Sequence, residues 1–268
     1  MRADCSRCAA LCCVALSFRA STEFAADKAA GVPCPHLVGE RSCGIHDRLG
    51  SSGYRGCTAF DCFGAGQHVT QVTFAGYRWQ GDEAGAATVF AVFDVMRRLK
   101  ELMWHLADAA SAVVEGALHD EVHQMRVVLE DLTWQEAGEL EHLDFMALQA
   151  QVIETLQRTS RSRREEVANP SGLELATADL SGADLAGTNL RGADLRYARL
   201  PNAVLVGADL FGADLFGADL RDADVRGARL AASLFLTPMQ LEVTTGDRTT
   251  TIPPGLRRPD HWSLGGGQ

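Results

Sequence analysis

The chain has no cysteine after Cys62, no proline between residues 81 and 168, and only 7% aromatic residues. It has no long hydrophobic run. The stretch Ala9 to Phe18 is apolar for about ten residues, well short of the roughly 20 needed to cross a bilayer. That stretch holds Cys12 and Cys13, follows Arg2, Asp4 and Arg7, and leads to no well-placed small-residue cleavage site. A cytoplasmic location with no membrane association is therefore expected, and there thiols stay reduced. There is also no excess of positive charge. Lys and Arg number 25 against 35 Asp and Glu, a net of -10, so direct nucleic-acid binding is not expected. No dinucleotide fingerprint and no Ser-His-Asp order stand out. The loop FDCFGAGQ (60–67) lacks the Lys-Ser/Thr of a phosphate loop, although Gly64 and Gly66 would let the backbone approach a cluster or ligand closely.

Four segments differ in composition. Residues 1–80 hold all eight cysteines and many loop-forming glycines, with a net charge of +2. Residues 81–168 carry a net of -9 and show helical periodicity. Val89, Phe90, Phe93, Val95, Met96, Leu99, Leu102, Met103 and Leu106 recur at the three-to-four spacing of a buried helix face. A second helix is predicted over Ala112–Leu132. A third is predicted over Glu136–Val167, with Leu140, Leu143, Phe145, Leu148, Val152, Ile153 and Leu156 facing inward. Its basic run, Arg158, Arg161, Arg163 and Arg164, suits a helix C-terminus. Residues 233–268 form a tail containing Pro238, Pro253, Pro254 and Pro259.

Residues 169–232 repeat with period five. Leucine occupies 175, 180, 185, 190, 195, 200, 205, 210, 215, 220 and 230, with Val225 completing the series. Alanine stands two residues before most of them, with Thr188 as an exception. Asp or Asn directly precedes many, and Gly often follows two residues after. Period five fits neither a helix nor a strand, so the chain must turn within every unit. One large and one small inward position per unit imply a narrow coil stacking Leu on Leu and Ala on Ala. The run ADLSGADLAGTNLRGADL closely resembles the pentapeptide-repeat family. That resemblance implies a right-handed quadrilateral β-helix with four units per coil. Twelve units then give three coils, about 15 Å at a strand spacing near 4.8 Å. The tail resembles segments that follow such repeats, and Leu236, Met239, Leu241, Ile252, Leu256 and Trp262 are expected to cap the last coil.

The cysteines run Cys5-x-x-Cys8-x-x-x-Cys12-Cys13, then Cys34-Pro-His-Leu, Cys43-Gly-Ile-His and Cys57-Thr-Ala-Phe-Asp-Cys62. If residues 5–13 were helical, Cys5, Cys8 and Cys12 would lie within about 60° of one face. Such a thiolate set selects zinc or iron–sulfur clusters. The order resembles the CxxCxxCC family of zinc- or iron-chelating proteins. It departs from that pattern by one extra residue before Cys12, by His46 in place of a tyrosine, and by SGYRGC before the final pair. The resemblance implies that Cys5, Cys8, Cys12, Cys13, Cys34, Cys43, Cys57 and Cys62 are metal ligands. His36 and His46 are spare candidates. His119 and His123 stand four apart on a helix, but Asp120 occupies the place where a zinc-protease motif needs Glu.

The expected fold class is multi-domain α+β. It comprises a Cys-rich metal module (1–80), a helical domain (81–168), a β-helix (169–232) and a capping tail (233–268). The expected role is a non-catalytic scaffold, sensor or interaction protein that binds zinc or an Fe–S cluster, meets a protein partner, and can pair as a homodimer. Two alternatives are an Fe–S-dependent oxidoreductase or modifying enzyme, resting on the cysteines alone, and a DNA mimic protecting a type II topoisomerase. Family members with the latter role resemble duplex DNA in shape and charge. Here the repeat carries a net of only -3, and Arg191, Arg196, Arg199, Arg221, Arg226 and Arg229 interrupt its acidic surface.

Overall fold

The computed structural model describes residues 2–39, 41–167 and 170–263. The boundary expected at 168/169 and the last five residues of the tail lie outside the described residues. The chain divides into two compact units. One is Met1–Ala107 with Glu121–Ile153, and the other is Asp108–Asp120 with Glu154–Gln268. Among the described residues no helix is long and apolar enough to cross a membrane.

In the first unit, short elements carry the cysteines. They are a 3-10 turn at Cys5–Arg7, α1 (Leu11–Val14), the two-stranded β1 (Leu37–Val38) and β2 (Ser42–Cys43), a 3-10 turn at His46–Arg48, α2 (Arg55–Ala59), and α3 (Ala65–His68), which runs into a π-helical segment, Val69–Thr73. Further along the chain are α4 (Glu83–Ala112), α5 (Ala117–Leu132), α6 (Ala137–Glu141) and α7 (Phe145–Glu165), of which the end of α4, the start of α5 and α7 from Glu154 belong to the second unit. Val89, Val92, Phe93, Met96, Leu99, Leu102 and Leu106 of α4 are buried at the periodicity of one helix face. Val92, absent from the expected list, is wholly buried, whereas Phe90 and Val95 are half-buried. The expected third helix is broken between α6 and α7. Asp144 caps the restart by accepting a hydrogen bond from Ala147 N at 3.1 Å, the short-side-chain competition that makes Asp an N-cap residue.

In the second unit, the repeat closes into a coil of four five-residue sides. Parallel bridges join residues twenty apart: 174 to 194, 179 to 199, 184 to 204 and 189 to 209, then 194 to 214 and onward to 209 with 229. This is three coils. The bridges Asp214–Leu234, Asp224–Thr245 and Arg229–Thr251 add a partial fourth built from the tail. Every unit turns the same way. The Ala N–H bonds back to the Leu carbonyl three residues earlier, as in Ala198 to Leu195 at 3.0 Å. The second residue after Leu takes a positive φ, between 55° and 70° from Gly182 to Gly227. Such type II turns favour glycine or asparagine there.

The Asp or Asn before each Leu accepts from the amide two residues on, as in Asp194 from Arg196 N at 3.1 Å and Asp214 from Phe216 N at 2.9 Å. Its side chain thus satisfies an amide that the turn leaves free. Inside, Leu190 to Leu230 and Ala193 to Ala228 form one buried column. Leu236, Leu241 and Trp262 from the tail join that column, and Ile252 and Leu256 pack against it. The helix α8 (Pro238–Glu242) in the tail starts with a capping box between Thr237 and Gln240. Leu175, Leu180 and Leu185 of the first coil are only partly buried.

Candidate metal centre

The Cys5–Cys13 segment is not one helix. Asp4 caps the turn Cys5–Arg7, Cys8 is extended (φ -106°, ψ 150°), Ala10 is left-handed (φ 52°), and α1 begins at Leu11. The expected common face is therefore replaced by a looped path. Side chains from α3 and the π-helical segment hold that path in place. Asp4 N donates to Gln67 Oε1, Gln67 Nε2 to the Arg2 carbonyl at 3.0 Å, and both Thr70 Oγ1 (2.9 Å) and Gln71 Nε2 (3.0 Å) to the Arg7 carbonyl.

Chain contacts assemble the rest of the module. Cys34 N donates to the Cys13 carbonyl at 2.9 Å, and Cys43 pairs with Leu37 across β1 and β2. Cys57 N donates to the carbonyl of buried Tyr54 at 3.0 Å. The Tyr54 ring meets His36 edge-on at 4.8 Å. Lys28 is buried, and its ammonium donates to the carbonyls of Val14, Ala29 and Val32 at 2.8–3.0 Å. A buried cation satisfied by three carbonyls fixes the loop beside Cys13 and Cys34.

All eight cysteines are free thiols; Cys34 is buried and Cys5 exposed. Cys12 Sγ and Cys13 Sγ lie 4.0 Å apart, close to the roughly 3.8 Å edge of a tetrahedron with Zn–S bonds of about 2.3 Å. Cys8 and Cys62 converge on Gly66. A β-carbon there would sit 2.6 Å from Cys8 Sγ, too close without a shift, and at ordinary contact distance, 3.8 Å, from Cys62 Sγ. The nearby amides of Leu11 and Ala10 favour the Cys8 thiolate, and that of His36 the Cys34 thiolate. Burial outweighs them. It lifts Cys8 and Cys57 to about 11 and also raises Cys34.

Cys13 is lowered to about 7, first by the hydrogen bond with Cys12 and then, against burial, by the Lys28 charge. Cys12, its partner in that bond, is correspondingly raised. Among the described residues no three His, Cys, Asp or Glu side chains converge at metal-holding geometry. In donor chemistry alone, thiolates are the ligands that thiophilic metals select. His119 lies beside Asp120, its Nδ1 3.3 Å from the carboxylate.

A family model, Pentapeptide repeats, matches residues 174–215 and 198–231 with eight copies. The uncharacterized protein YybG of Bacillus subtilis is 48% identical over 269 residues, covering 98% of this chain and 95% of that protein. The chain belongs to the YybG family of pentapeptide-repeat proteins. Two solved structures are also similar. A pentapeptide repeat protein from Nostoc is 35% identical over 31% of this chain and 73% of its own, with a TM-score of 0.22. One from the Arabidopsis thaliana thylakoid lumen is 30% identical over 33% of this chain and 59% of its own, with a TM-score of 0.18.

Sequence reasoning missed Lys28, Gln67, Thr70 and Gln71. Gln67, Thr70 and Gln71 act through bonds to backbone carbonyls more than sixty residues away, and Lys28 through carbonyls of its own loop and of Val14, none of which leaves a residue pattern.

Proposed function

We propose that this pentapeptide-repeat protein binds zinc or an iron–sulfur cluster through its cysteine module and acts as a scaffold or sensor for a protein partner. The observation that carries the reading is the convergence of Cys8 and Cys62 on Gly66, where any side chain would displace a sulfur. The amides near Cys8 and Cys34, which favour their thiolates, support it, as does the family resemblance of the eight-cysteine order. The first coil offers a meeting surface for a partner or a second copy, since Leu175, Leu180 and Leu185 stay partly exposed while the tail covers the other end.

The DNA-mimic alternative has little support. Asp179, Asp194, Asp209, Asp214, Asp219 and Asp224 each lie within ion-pair distance of an arginine. The repeat therefore presents paired rather than phosphate-like charge.

Purification without oxygen, followed by elemental analysis and a visible spectrum, tests the reading. Stoichiometric zinc without colour, or iron with sulfide and a cluster absorption band, is expected. Replacing Cys8 by Ser should lower the bound metal. Protein free of zinc and iron, with thiols that titrate freely, would overturn the reading.

A further inference from the structure

The helix α5 is apolar on two sides. Its buried stripe is Val122 and Leu129, and Thr133 continues that stripe past the helix end. At about 100° per residue, Val127, Val128, Asp131 and Trp134 fall on the opposite side, within about 60° of its centre, and all four are exposed. The backbone keeps this phase as far as Trp134. Thr133 N donates to the Leu129 carbonyl at 3.2 Å and Trp134 N to the Asp131 carbonyl at 3.1 Å. These residues all belong to the first unit.

A surface helix ordinarily turns polar groups to that side. Here Val127 is 50% exposed, and Trp134, at 65%, is the most exposed aromatic side chain among the described residues. Its ring is held edge-on by His68 at 5.2 Å, so less ordering is needed when something binds to it. The surroundings are acidic. Residues 131–141 contain Asp131, Glu136, Glu139 and Glu141 and neither Lys nor Arg. All four carboxylates are exposed, and among the described residues none of them lies in an ion pair. Glu130, by contrast, interacts with Lys100. Charge of this sign repels nucleic acid and attracts Lys and Arg. An exposed indole among carboxylates suits a cation over its face and serves as an apolar anchor.

We propose that this outer face of α5 docks a basic amphipathic helix of a protein partner. The partner's apolar stripe packs on Val127, Val128 and Trp134, and its flanking Lys or Arg side chains meet Asp131, Glu136, Glu139 and Glu141. This face is a partner surface for the scaffold role proposed above, and it uses neither the thiols nor the first coil.

The probe is a fluorescently labelled synthetic Leu/Lys amphipathic helix of about four turns, followed by anisotropy as the full chain is added. Saturable binding that weakens with salt is expected, about tenfold or more tighter than for a Leu/Glu counterpart or a polar Lys/Ser peptide of the same charge. Trp134→Ala should weaken it about tenfold, the effect of losing an interface anchor. Val127→Ser probes the same face independently, and each variant is checked for an unchanged melting curve. Asp131→Asn with Glu136→Gln should weaken binding and flatten its salt dependence. Glu154→Gln with Glu165→Gln, the same loss of charge on α7, should do neither. Peptide binding by protein without zinc or iron would leave this face standing and remove the metal centre alone; bound metal without peptide binding would do the reverse. The docking face is overturned if the Leu/Lys helix does not bind saturably, or if Trp134→Ala and Val127→Ser both bind it as the native chain does. It is also overturned if sedimentation shows a dimer that Trp134→Ala dissolves, which would assign the face to a second copy.

Discussion

The buried carboxylates show most clearly how single residues trade stability for geometry. Asp214 accepts from Phe216 N through Oδ1, yet neither its Oδ2 nor the nearby Ser160 Oγ completes a hydrogen bond, and Arg196 Nε stands 3.7 Å away. Burial lifts the group from 3.8 to about 6, against the opposing pull of these neighbours. The raised value fixes the sign. Below about 4 the carboxyl is protonated in both folded and unfolded chains; between there and about 6 only the unfolded chain ionises, so stability is lost as pH rises. Asp214→Asn keeps the Oδ1 acceptor and removes the charge. Denaturant titrations should find it more stable than the native chain by on the order of 2 kcal/mol at neutral pH, with no difference below about pH 4. Equal stability at both pH values would contradict the assignment.

The left-handed turn residues make a second contrast. Gly207 (φ 66°) has open space where a β-carbon would go, whereas at Gly212 (φ 70°) it would sit 2.5 Å from Val167 Cγ2. Asn tolerates this backbone, and Asn202 already adopts it. Gly207→Asn should therefore be nearly neutral and Gly212→Asn should cost about 2 kcal/mol. Equal thermal shifts would remove the Val167 contact from the explanation.

At the scale of elements, the coil was the most legible part of the sequence. Period five, an Asp or Asn before Leu and a Gly after it specify one turn per unit, and every later bond follows from repeating that turn. The partial fourth coil was less legible, because Thr245 and Thr251 carry none of the repeat's residues and join it through backbone bonds alone. The helices were legible as faces but not in their ends. The break before α7 hangs on one Asp cap inside a periodic stretch. Polar burial on α7 at Thr155, Thr159 and Ser160 also ran against the apolar pattern.

Position within the stack should decide what a leucine is worth. Leu205 is buried in the middle coil and Leu180 is only partly covered in the first. Leu205→Asp should abolish cooperative unfolding, since its charge would be buried without a partner, while Leu180→Asp should leave a folded, weakened coil. A cooperative transition in the Leu205 variant, followed by circular dichroism, would contradict a continuous inner column.

For the whole molecule, the net charge of -10 is unevenly spread. Most of it falls on the helical middle, and the repeat's share is largely paired with arginine. The cysteine module was legible as an inventory of thiols but not as a path, because its shape depends on α3 and the π-helical segment reaching back some sixty residues to residues 2–7. The metal binding proposed above depends on that path.

Its most direct test follows thiol reactivity and metal release in one sample of protein kept from oxygen. The eight thiols should react slowly with a disulfide reagent until a chelator is added, and zinc or iron should then appear in step with their exposure. Eight thiols that react at once, with no metal released, would contradict the metal centre.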